Sequence, residues 1–399
     1  MKNKQTDVKD LKILLFEQQN ILETDMLWAF LELGYEGLRI AEVRVPDAEY
    51  TEDDVAQILQ EMQEDDLVVT KDFSSAVAEA CHRASCLYLS WVHDSPQRAL
   101  YMKEALYETN RVFVFDRAQL ERMRKLGIPH VEYMPLGTNV TRVAALHISE
   151  QDLKTYGADI SFVGNLYDEV DRSYFFEGLS PAVRAEAEQF LRNKSGNWHE
   201  GATVYQPLSE QAQEEMFSLI SHEGLERYSL PREMLIQLLV FTREIAKRDR
   251  IEALTRLSGK YDTRLYTSVP ERARKLLPGV DVHGGVDYET EMPKVFHASR
   301  INLNLTMPSI ETGVPLRIFD IMGAGGFVLS NEQWEIGELF KKDEEIVTFR
   351  DFDEMEEKAA YYLSHEEIRK RIALKGWRKV TESYSCKQQV AKMMRQTWM

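Results

Sequence analysis

The chain has 399 residues, of which 44% are hydrophobic and 10% aromatic, and it carries a formal net charge of −17. This length exceeds one ordinary hydrophobic core, so we expect two domains. The acidic excess argues against a general nucleic-acid or anionic-membrane surface, because both partners need a basic footprint. An anionic ligand would therefore have to use a local basic or backbone site.

The composition is that of a globular protein without a membrane span. No apolar run approaches the length of a bilayer, and the polar first ten residues are followed only by the strand-length run ILLF, so we expect neither a signal peptide nor a transmembrane segment. The three cysteines, Cys81, Cys86 and Cys386, are too few for a disulfide framework, and Cys81 with Cys86 lacks a metal-type spacing. A reducing cytoplasm is the simplest expected location.

The first half alternates strand-like and helix-like patterns. Short apolar runs predict strands at 11–16, 38–45, 66–70, 86–92, 111–116 and 131–137. The predicted helices between them include 25–33, a helix from Asp53, and 74–84, 95–108 and 117–126. Alternation of this kind predicts a doubly wound, Rossmann-like domain with a parallel sheet.

A second series of the same kind begins at 159–166. It continues with a mostly helical segment at 172–258, in which 233–257 shows the longest apolar periodicity, and then with strands at 263–267, 280–284, 301–306, 327–330 and 345–349. The sequence thus predicts domains at 1–155 and 156–378, both α/β. We expect the C-terminal helix at 379–399 to pack back towards the first domain.

The segment SIETGVPLRIFDIMGAGGFVLSN (309–331) combines a loop, a helix and a buried strand. Pro315 suits the first helical turn, and Gly323, Gly325 and Gly326 suit the helix exit. Because Gly313 precedes the helix start, free N–H groups and the helix dipole could bind an anion there.

Within that helix, helical spacing allows Leu316, Phe319 and Gly323 to face a core, which leaves Arg317 and Asp320 on another side. The alternative is an ordinary helix and strand that carry a surface Arg317–Asp320 pair.

Ligands of open α/β sheets bind beyond the carboxyl ends of the strands, so the polar residues that follow the strands are candidates. In WVHDSP, His93 could act as a general base, with Asp94 orienting it or contacting substrate hydroxyls. Alternatively, Asp94 or Ser95 caps a helix whose first turn holds Pro96.

Three further clusters follow predicted strands. PLGTN (135–139) is more typical of a hinge turn than of catalysis. In FVGN, Gly164 would let a ligand approach the backbone, although Gly-Asn is also a common turn. In HGGVDYE (283–289), a tight turn explains the glycines equally well, and Tyr288 could stack on a planar ring or lie in the core.

Several catalytic motifs are absent from the sequence. It contains no GxGxxG after the first strand, no GxxxxGK[ST], no HExxH and no GxSxG. The acidic run of Asp168, Glu169 and Asp171 has no second ligand cluster, and a charged loop explains it better than a metal site.

The order of the clusters WVHDSP, VFVFD, MPLGTN, DISFVGN, INLNLT and GVPLRIFDIMGAGGFVLSN resembles the CgeB-type glycosyltransferase-like proteins. It is most similar to the DUF3880-type branch, which carries an additional uncharacterised N-terminal region. The resemblance spans roughly residues 85 to 385. It implies a GT-B fold, in which two Rossmann-like domains face a cleft, with the nucleotide sugar on the C-terminal domain and the acceptor on the N-terminal one.

The resemblance also implies roles for single residues. Asp320 would accept hydrogen bonds from ribose hydroxyls, and Arg317 or the helix N-terminus would offset the diphosphate charge. The other implied donor contacts are Glu311, Thr312 and Gly313 near the sugar or phosphate, and Phe162, Gly164 and Asn165 at the cleft border. We add His283 and Tyr288 to the candidate donor site, and His93 and Asp94 would act from the acceptor domain.

One departure from the family pattern concerns the sugar. Retaining GT-B enzymes often carry two glutamates eight positions apart, whereas Thr312 and Asp320 stand there in this chain and Glu311 is one residue out of register. The resemblance therefore implies nucleotide binding more firmly than a particular sugar geometry. It implies no metal ion.

The expected function is a glycosyltransferase that moves a sugar from a nucleotide diphosphate donor to an acceptor hydroxyl on a glycan, a protein or a small molecule. No cofactor is expected besides the donor substrate itself. Two alternatives are a non-catalytic protein that binds a nucleotide or a partner on the same scaffold, and a nucleotide-sugar epimerase.

Overall fold

The structure is a computed structural model that describes residues 11–16, 22–41, 43, 45–46, 48–168, 173–199, 208–220 and 230–397. The described residues form two compact units. The first unit comprises those up to Asn139 together with those from Ser383 onwards, and the second comprises those between Val140 and Glu382.

The first unit is a doubly wound α/β domain. Its six strands are β1 (Ile13–Phe16), β2 (Leu38–Ala41), β3 (Leu67–Lys71), β4 (Leu87–Val92), β5 (Asn110–Val114) and β6 (Val131–Tyr133). They form one parallel sheet in the order β2-β1-β3-β4-β5-β6. The helices of this part are α1 (Leu22–Glu32), α2 (Glu52–Glu61), α3 (Ser75–Ala84) and α4 (Arg117–Lys125). All six predicted strands are present, although β2 and β6 end earlier than expected.

The prediction of an α-helix at 95–108 is wrong. Two short 3-10 turns, Arg98–Tyr101 and Lys103–Leu106, occupy this region instead. The polar groups that would start a helix are held by neighbouring elements: Ser95 Oγ donates to Asp116 Oδ2 at 2.8 Å, and Gln97 N donates to Gln119 Oε1 at 3.0 Å. The predicted capping role of Asp94 or Ser95 therefore has no α-helix to cap.

The second unit contains the other six strands, β7 (Ile160–Val163), β8 (Thr263–Tyr266), β9 (Asp281–His283), β10 (Ile301–Asn304), β11 (Val328–Asn331) and β12 (Val347–Phe349). They form a parallel sheet in the order β12-β11-β10-β7-β8-β9. Counted from β7, this is the 3-2-1-4-5-6 order of a Rossmann sheet, and the strand order reverses between β7 and β10.

The helices of the second unit fall into two groups. Before β8 the chain forms α5 (Val140–Ala145), α6 (Glu150–Tyr156), α7 (Ser173–Glu177), α8 (Pro181–Lys194), α9 (Glu210–Leu219), α10 (Arg232–Ile236), a π-helical turn (Gln237–Phe241) and α11 (Thr242–Ser258). After β8 it forms α12 (Pro270–Leu276), α13 (Met292–Ala298), α14 (Leu316–Gly323), α15 (Ile336–Leu339), α16 (Phe352–Ser364) and α17 (Glu366–Ser383).

The segment predicted to be mostly helical, 172–258, contains α7 to α11; Arg172, 200–207 and 221–229 lie outside the described residues. These helices have a hydrophobic core of their own, separate from the core of the sheet, with fully buried Ala187, Met216 and Phe241.

The division between the units differs from the predicted boundaries at 155 and 378. α6 packs against α13 of the second unit, because Tyr156 Oη donates to Glu291 Oε1 at 2.9 Å and Lys294 Nζ pairs with Asp152 at 3.0 Å. The last helix, α18 (Cys386–Thr397), belongs to the first unit, where it packs against α1. Its Gln389 Nε2 donates to the Pro135 carbonyl at 2.7 Å.

α14 begins and ends as its sequence predicts. Pro315 is its N-cap, and the helix ends in a Schellman motif, with Gly326 N donating to Ile321 O and Gly325 N to Met322 O, both at 2.9 Å. Gly325 has φ +75°, which favours glycine.

The predicted faces of α14 need correction. Leu316 is only half-buried, whereas Ile318 and Ile321 fill the core, and Asp320 is buried as well. The physical reason is that α14 packs against β10, β11 and α13 at once. The Arg317–Asp320 pair does form, at 3.5 Å, but Asp320 is buried, so it is not a surface pair. Among the described helices, none combines the length and the apolar character needed to cross a bilayer.

Candidate active site

A pocket of about 460 Å³ lies at the carboxyl edge of the second sheet. It is lined by residues that follow β7, β8, β9 and β10, by Arg250 of α11, and by Pro315 and Arg317 at the start of α14. This position includes the point between β7 and β10 where the strand order reverses, which is the usual ligand site of a doubly wound sheet.

The pocket is basic, although the chain as a whole is acidic. Of the described residues that line it, the charged ones are Arg250 and Arg317, and none is an aspartate or glutamate. Four aromatic residues, Phe162, Tyr167, Tyr266 and Tyr288, share the wall with them. Two guanidinium groups in a lining that contains no carboxylate favour an anionic ligand, and aromatic faces suit a planar ring.

Arg250 is buried and rigidly held. Its Nη1 donates to the Asn165 carbonyl and its Nη2 to the Leu305 carbonyl at 3.2 Å, so it joins the ends of β7 and β10. Its guanidinium lies 4.5 Å from the ring centroid of Tyr167. Burial, and to a smaller degree the charge of Arg317, lowers the pKa of Arg250. Sequence reasoning missed this residue, because nothing in the local sequence distinguishes it from other arginines of a charged helix.

Arg317 is held from both sides on the first turn of α14. Its Nη1 lies 3.5 Å from Asp320 Oδ2 and also contacts Met292 Sδ, and its guanidinium lies 5.5 Å from the Phe296 ring centroid. The side chain is 31% exposed and lines the pocket. The structure thus places Arg317 where an anion would meet both its charge and the helix N-terminus.

Asp320 and Tyr288 form one hydrogen-bonded pair. Tyr288 Oη donates to Asp320 Oδ1 at 3.2 Å, and the Arg142 guanidinium covers the Tyr288 ring at 4.9 Å. Tyr288 lines the pocket, whereas Asp320 lies directly behind Tyr288 and Arg317. Tyr288 is half-buried, so it is not a core residue, and its stacking on a planar ring stays a prediction.

Residues after β7 and β8 supply polar groups to the pocket. Phe162, Gly164 and Asn165 all line it, as the sequence predicts for this cluster. Ser268 Oγ donates to Asn165 Oδ1 at 2.6 Å, which fixes the amide. Gly164 N continues the sheet by donating to Tyr266 O at 3.0 Å.

The backbone conformation after β9 does not require glycine. Neither Gly284 nor Gly285 has a positive φ; a Cβ at Gly284 would have no heavy atom within 4 Å, and one at Gly285 would meet only Ser268 Cα, at 3.9 Å. Gly285 lines the pocket. The open space therefore lets a ligand approach the backbone, and the tight-turn explanation is not needed.

We expect Gly285→Leu to leave the thermal midpoint unchanged and to weaken donor binding about tenfold, because the added side chain would occupy pocket space. The matched control is Gly284→Leu, at a residue that does not line the pocket. Calorimetric titration of both variants with the same donor checks this. Equal affinities in the two variants would contradict the placement of the ligand over Gly285.

The other predicted donor residues lie away from this pocket. His283 stacks on Tyr266 at 5.0 Å and bonds Asp281 at 2.8 Å, on the outer side of the lining. Thr312 Oγ1 donates to Glu335 Oε1 at 2.8 Å, and Gly313 is buried. Glu311 lines a smaller chamber beside the pocket.

Asp249 lines the same chamber, and its carboxyl group is a weaker acid than usual. Its Oδ1 accepts hydrogen bonds from Ser195 Oγ at 2.6 Å and Gly196 N at 2.8 Å, but burial outweighs them and raises the pKa of Asp249 to about 7. Because the folded chain holds this proton more tightly than the unfolded chain, the native state loses stability as the pH rises from about 4 to about 7.

We therefore expect Asp249→Asn to abolish the loss of stability between about pH 4 and about pH 7. The free energy of unfolding of the variant at pH 8 should exceed that of the unaltered protein by on the order of a few kcal/mol. Urea unfolding of both proteins at pH 4.5 and pH 8 measures it, with Asp353→Asn, at an exposed site, as the control. A difference between the proteins that does not change with pH would contradict this explanation.

His93 of the first unit follows β4 and is neutral. Its Nδ1 lies 2.9 Å from the Trp91 carbonyl, which can only accept, so Nδ1 carries the proton and Nε2 remains an acceptor. Burial, reinforced by Lys71, lowers the pKa of His93 to about 4. The ring therefore stays neutral, with an unprotonated Nε2, throughout the neutral range, and the lowered pKa makes it a weak base.

Asp72 holds the backbone at His93. Asp72 Oδ1 accepts hydrogen bonds from His93 N at 2.6 Å and Asp94 N at 3.3 Å. Asp94 is exposed, and both roles predicted for it, orienting His93 and contacting substrate hydroxyls, stay predictions. The position of Asp72 directly after β3 is a signal that could have identified it.

The acidic run after β7 shows no metal site in the described part of the chain. Asp168 Oδ2 pairs with Arg272 Nε at 3.2 Å, and Glu169 and Asp171 lie outside the described residues. Within the described ranges, no group of three or more His, Cys, Asp or Glu side chains could hold a metal ion.

The C-terminal part of the chain matches a protein family. Residues 243–395 match the family model of glycosyl transferase-like proteins. This region contains Arg250, the strands from β8 to β12 and all of α14. No curated protein matches the chain.

The whole chain is similar to solved GT-B structures. HepE of Anabaena in complex with UDP-glucose has a TM-score of 0.57 at 12% identity, covering 97% of this chain and 99% of its own. A glycosyltransferase from Rickettsia africae has a TM-score of 0.58 at 11% identity, covering 96% and 97%. Sucrose-phosphate synthase from Thermosynechococcus elongatus has a TM-score of 0.56 at 11% identity, covering 97% and 99%. The chain therefore has the GT-B fold, as its sequence predicts.

Proposed function

We propose that this chain is a GT-B glycosyltransferase of the CgeB type, in its DUF3880-type branch, which transfers a sugar from a nucleotide diphosphate donor to an acceptor hydroxyl. The observation that carries the proposal is the pocket with two arginines and no carboxylate at the switch point of an otherwise acidic protein. The match of residues 243–395 to glycosyl transferase-like proteins supports it, and HepE is similar in fold and was solved with UDP-glucose.

In this proposal the diphosphate lies between Arg250 and Arg317, above the N-terminus of α14. Arg250 is fixed by two backbone carbonyls and Arg317 by Asp320, so both charges are in place before the ligand arrives. Preorganised charges stabilise the leaving diphosphate without reorganising during the reaction. A metal ion is not required for that role.

The remaining donor residues surround this anion site. Gly164, Asn165 and Gly285 offer backbone and amide groups, and Phe162 offers a ring face. Asp320 binds the ribose diol after Tyr288 releases it, or else holds Tyr288 and Arg317 in place. His93 accepts the proton of the acceptor hydroxyl at Nε2, and Asp94 contacts the acceptor.

A thermal-shift screen over nucleoside diphosphates and their sugars tests the proposal, because a ligand that binds only the folded protein raises its apparent stability. We expect nucleotide sugars to stabilise the protein, and the diphosphates themselves to stabilise it more than the monophosphates. No shift with any nucleotide would contradict the proposal.

A second measurement distinguishes the enzyme from its alternatives. Incubation of a stabilising donor with acceptor mixtures should release the nucleoside diphosphate and form a glycosylated product. Binding without turnover would favour a non-catalytic protein, and conversion of the donor alone into an isomeric nucleotide sugar would favour an epimerase.

A further inference from the structure

A smaller chamber adjoins the donor pocket, and Thr306 and Ile310 line both cavities. Its walls come from the helical segment and from the loops after β10 and β11. The polar residues that line it are Lys194, Asn197, Asp249, Glu311, Asn331 and Gln333, next to Thr306. A group attached to a diphosphate in the pocket could therefore enter the chamber directly.

Lys194 is a buried cation inside this chamber. It is the last residue of α8 and is 6% exposed. Among the described residues its ammonium has no hydrogen-bond or ion-pair partner, and burial lowers the pKa of Lys194. Asp249 and Glu311 line the same chamber, but among the described residues neither carboxyl forms an ion pair with this ammonium, and burial keeps Asp249 protonated below about pH 7. A buried ammonium without an ion pair is costly, and a ligand anion would offset that cost.

The walls beside Lys194 are fixed by bonds of their own. Asp249 Oδ1 is held by Ser195 and Gly196, Asn331 Oδ1 accepts from Thr306 N at 2.7 Å, and Gln333 Nε2 donates to Ile310 O at 2.8 Å. These bonds shape the chamber without using Lys194. The ammonium is thus the cationic group that the described chamber leaves for a ligand.

We propose that Lys194 selects the donor sugar by binding a negatively charged substituent, such as the carboxylate of a uronic acid. The inference rests on the proposed function, because only a donor with its diphosphate in the pocket would direct its sugar into the chamber. It goes beyond that function by naming the class of sugar and the residue that recognises it.

The test compares Lys194→Met with Arg192→Met, which removes an exposed cation from the same helix. Calorimetric titrations with UDP, UDP-glucose and UDP-glucuronic acid give three affinities for each protein. We expect the unaltered protein and Arg192→Met to bind UDP-glucuronic acid about tenfold more tightly than UDP-glucose, through a charge-assisted hydrogen bond. Lys194→Met should lose this preference and keep its affinity for UDP.

Equal affinities of the unaltered protein for the two sugars would overturn the inference without any variant. A preference that survives in Lys194→Met, or in Lys194→Gln if the first variant is unstable, would also overturn it. If UDP does not bind, the same comparison is made with GDP, GDP-mannose and GDP-mannuronic acid. If neither diphosphate binds, the proposed function itself fails, and that outcome is distinct from a loss of sugar preference.

Discussion

Arg317→Met should weaken the binding of a nucleoside diphosphate by roughly 10- to 100-fold, which corresponds to the loss of one charge-assisted interaction. The reason is that Arg317 is one of the two cations that line the pocket and lies on the first turn of α14. Methionine keeps much of the side-chain length but leaves the buried Asp320 without its arginine, so the thermal midpoint of the variant is measured beside its affinity. Calorimetric titration with the diphosphate measures the effect.

The matched control is Arg300→Met. Arg300 lies in the same unit and pairs with Asp159 at 2.7 Å, but it precedes β10 and therefore lies at the opposite edge of the sheet. We expect its affinity for the diphosphate to be unchanged. If both variants bind the diphosphate equally well, the pocket is not the anion site.

His93→Ala should lower the turnover number by about 100-fold or more and leave the donor dissociation constant nearly unchanged, because general acid–base catalysis contributes on the order of 10²–10⁴-fold. The bond that anchors this segment, from His93 N to Asp72, involves the backbone and is retained in the variant. Initial rates with a donor and an acceptor, together with donor titration, separate the two effects.

The pH dependence gives an independent check on His93. Since its folded-state pKa is about 4, the ring is neutral from about pH 5 upwards, and turnover should show no His93-dependent rise near pH 6.5. His130→Ala is the control, because His130 is a half-buried histidine of the same unit that pairs with Glu108 at 3.0 Å. Full turnover in His93→Ala would contradict the assigned role. A loss of donor affinity with an unchanged turnover number would contradict it as well.

The sheets were largely predictable from the sequence. Central strands such as β1 and β3 lie in short apolar runs, because a strand covered by helices on both faces needs apolar side chains on both sides. The absence of an α-helix at 95–108 was not predictable. It depends on Asp116 and Gln119, which are distant in sequence and bind Ser95 and Gln97.

The candidate site was predictable only where it follows a strand or starts a helix. Phe162, Gly164, Asn165 and Arg317 line the pocket because the carboxyl ends of parallel strands meet at one edge. Arg250 was missed, since a charged residue in a long helix gives no sign of the face on which it lies. His283 ends β9, and Thr312 and Gly313 follow β10, but none of the three lines the pocket.

The sequence by itself determined the two-domain α/β architecture, the GT-B resemblance and the helix start at Pro315, because periodicity and the conformational limits of proline and glycine act locally. Only the tertiary structure decided that Asp320 is buried behind Tyr288, that Arg250 shares a pocket with Arg317, and that Lys194 is a buried cation. Burial and the meeting of distant charges depend on which elements pack together, and that information is distributed over the whole chain.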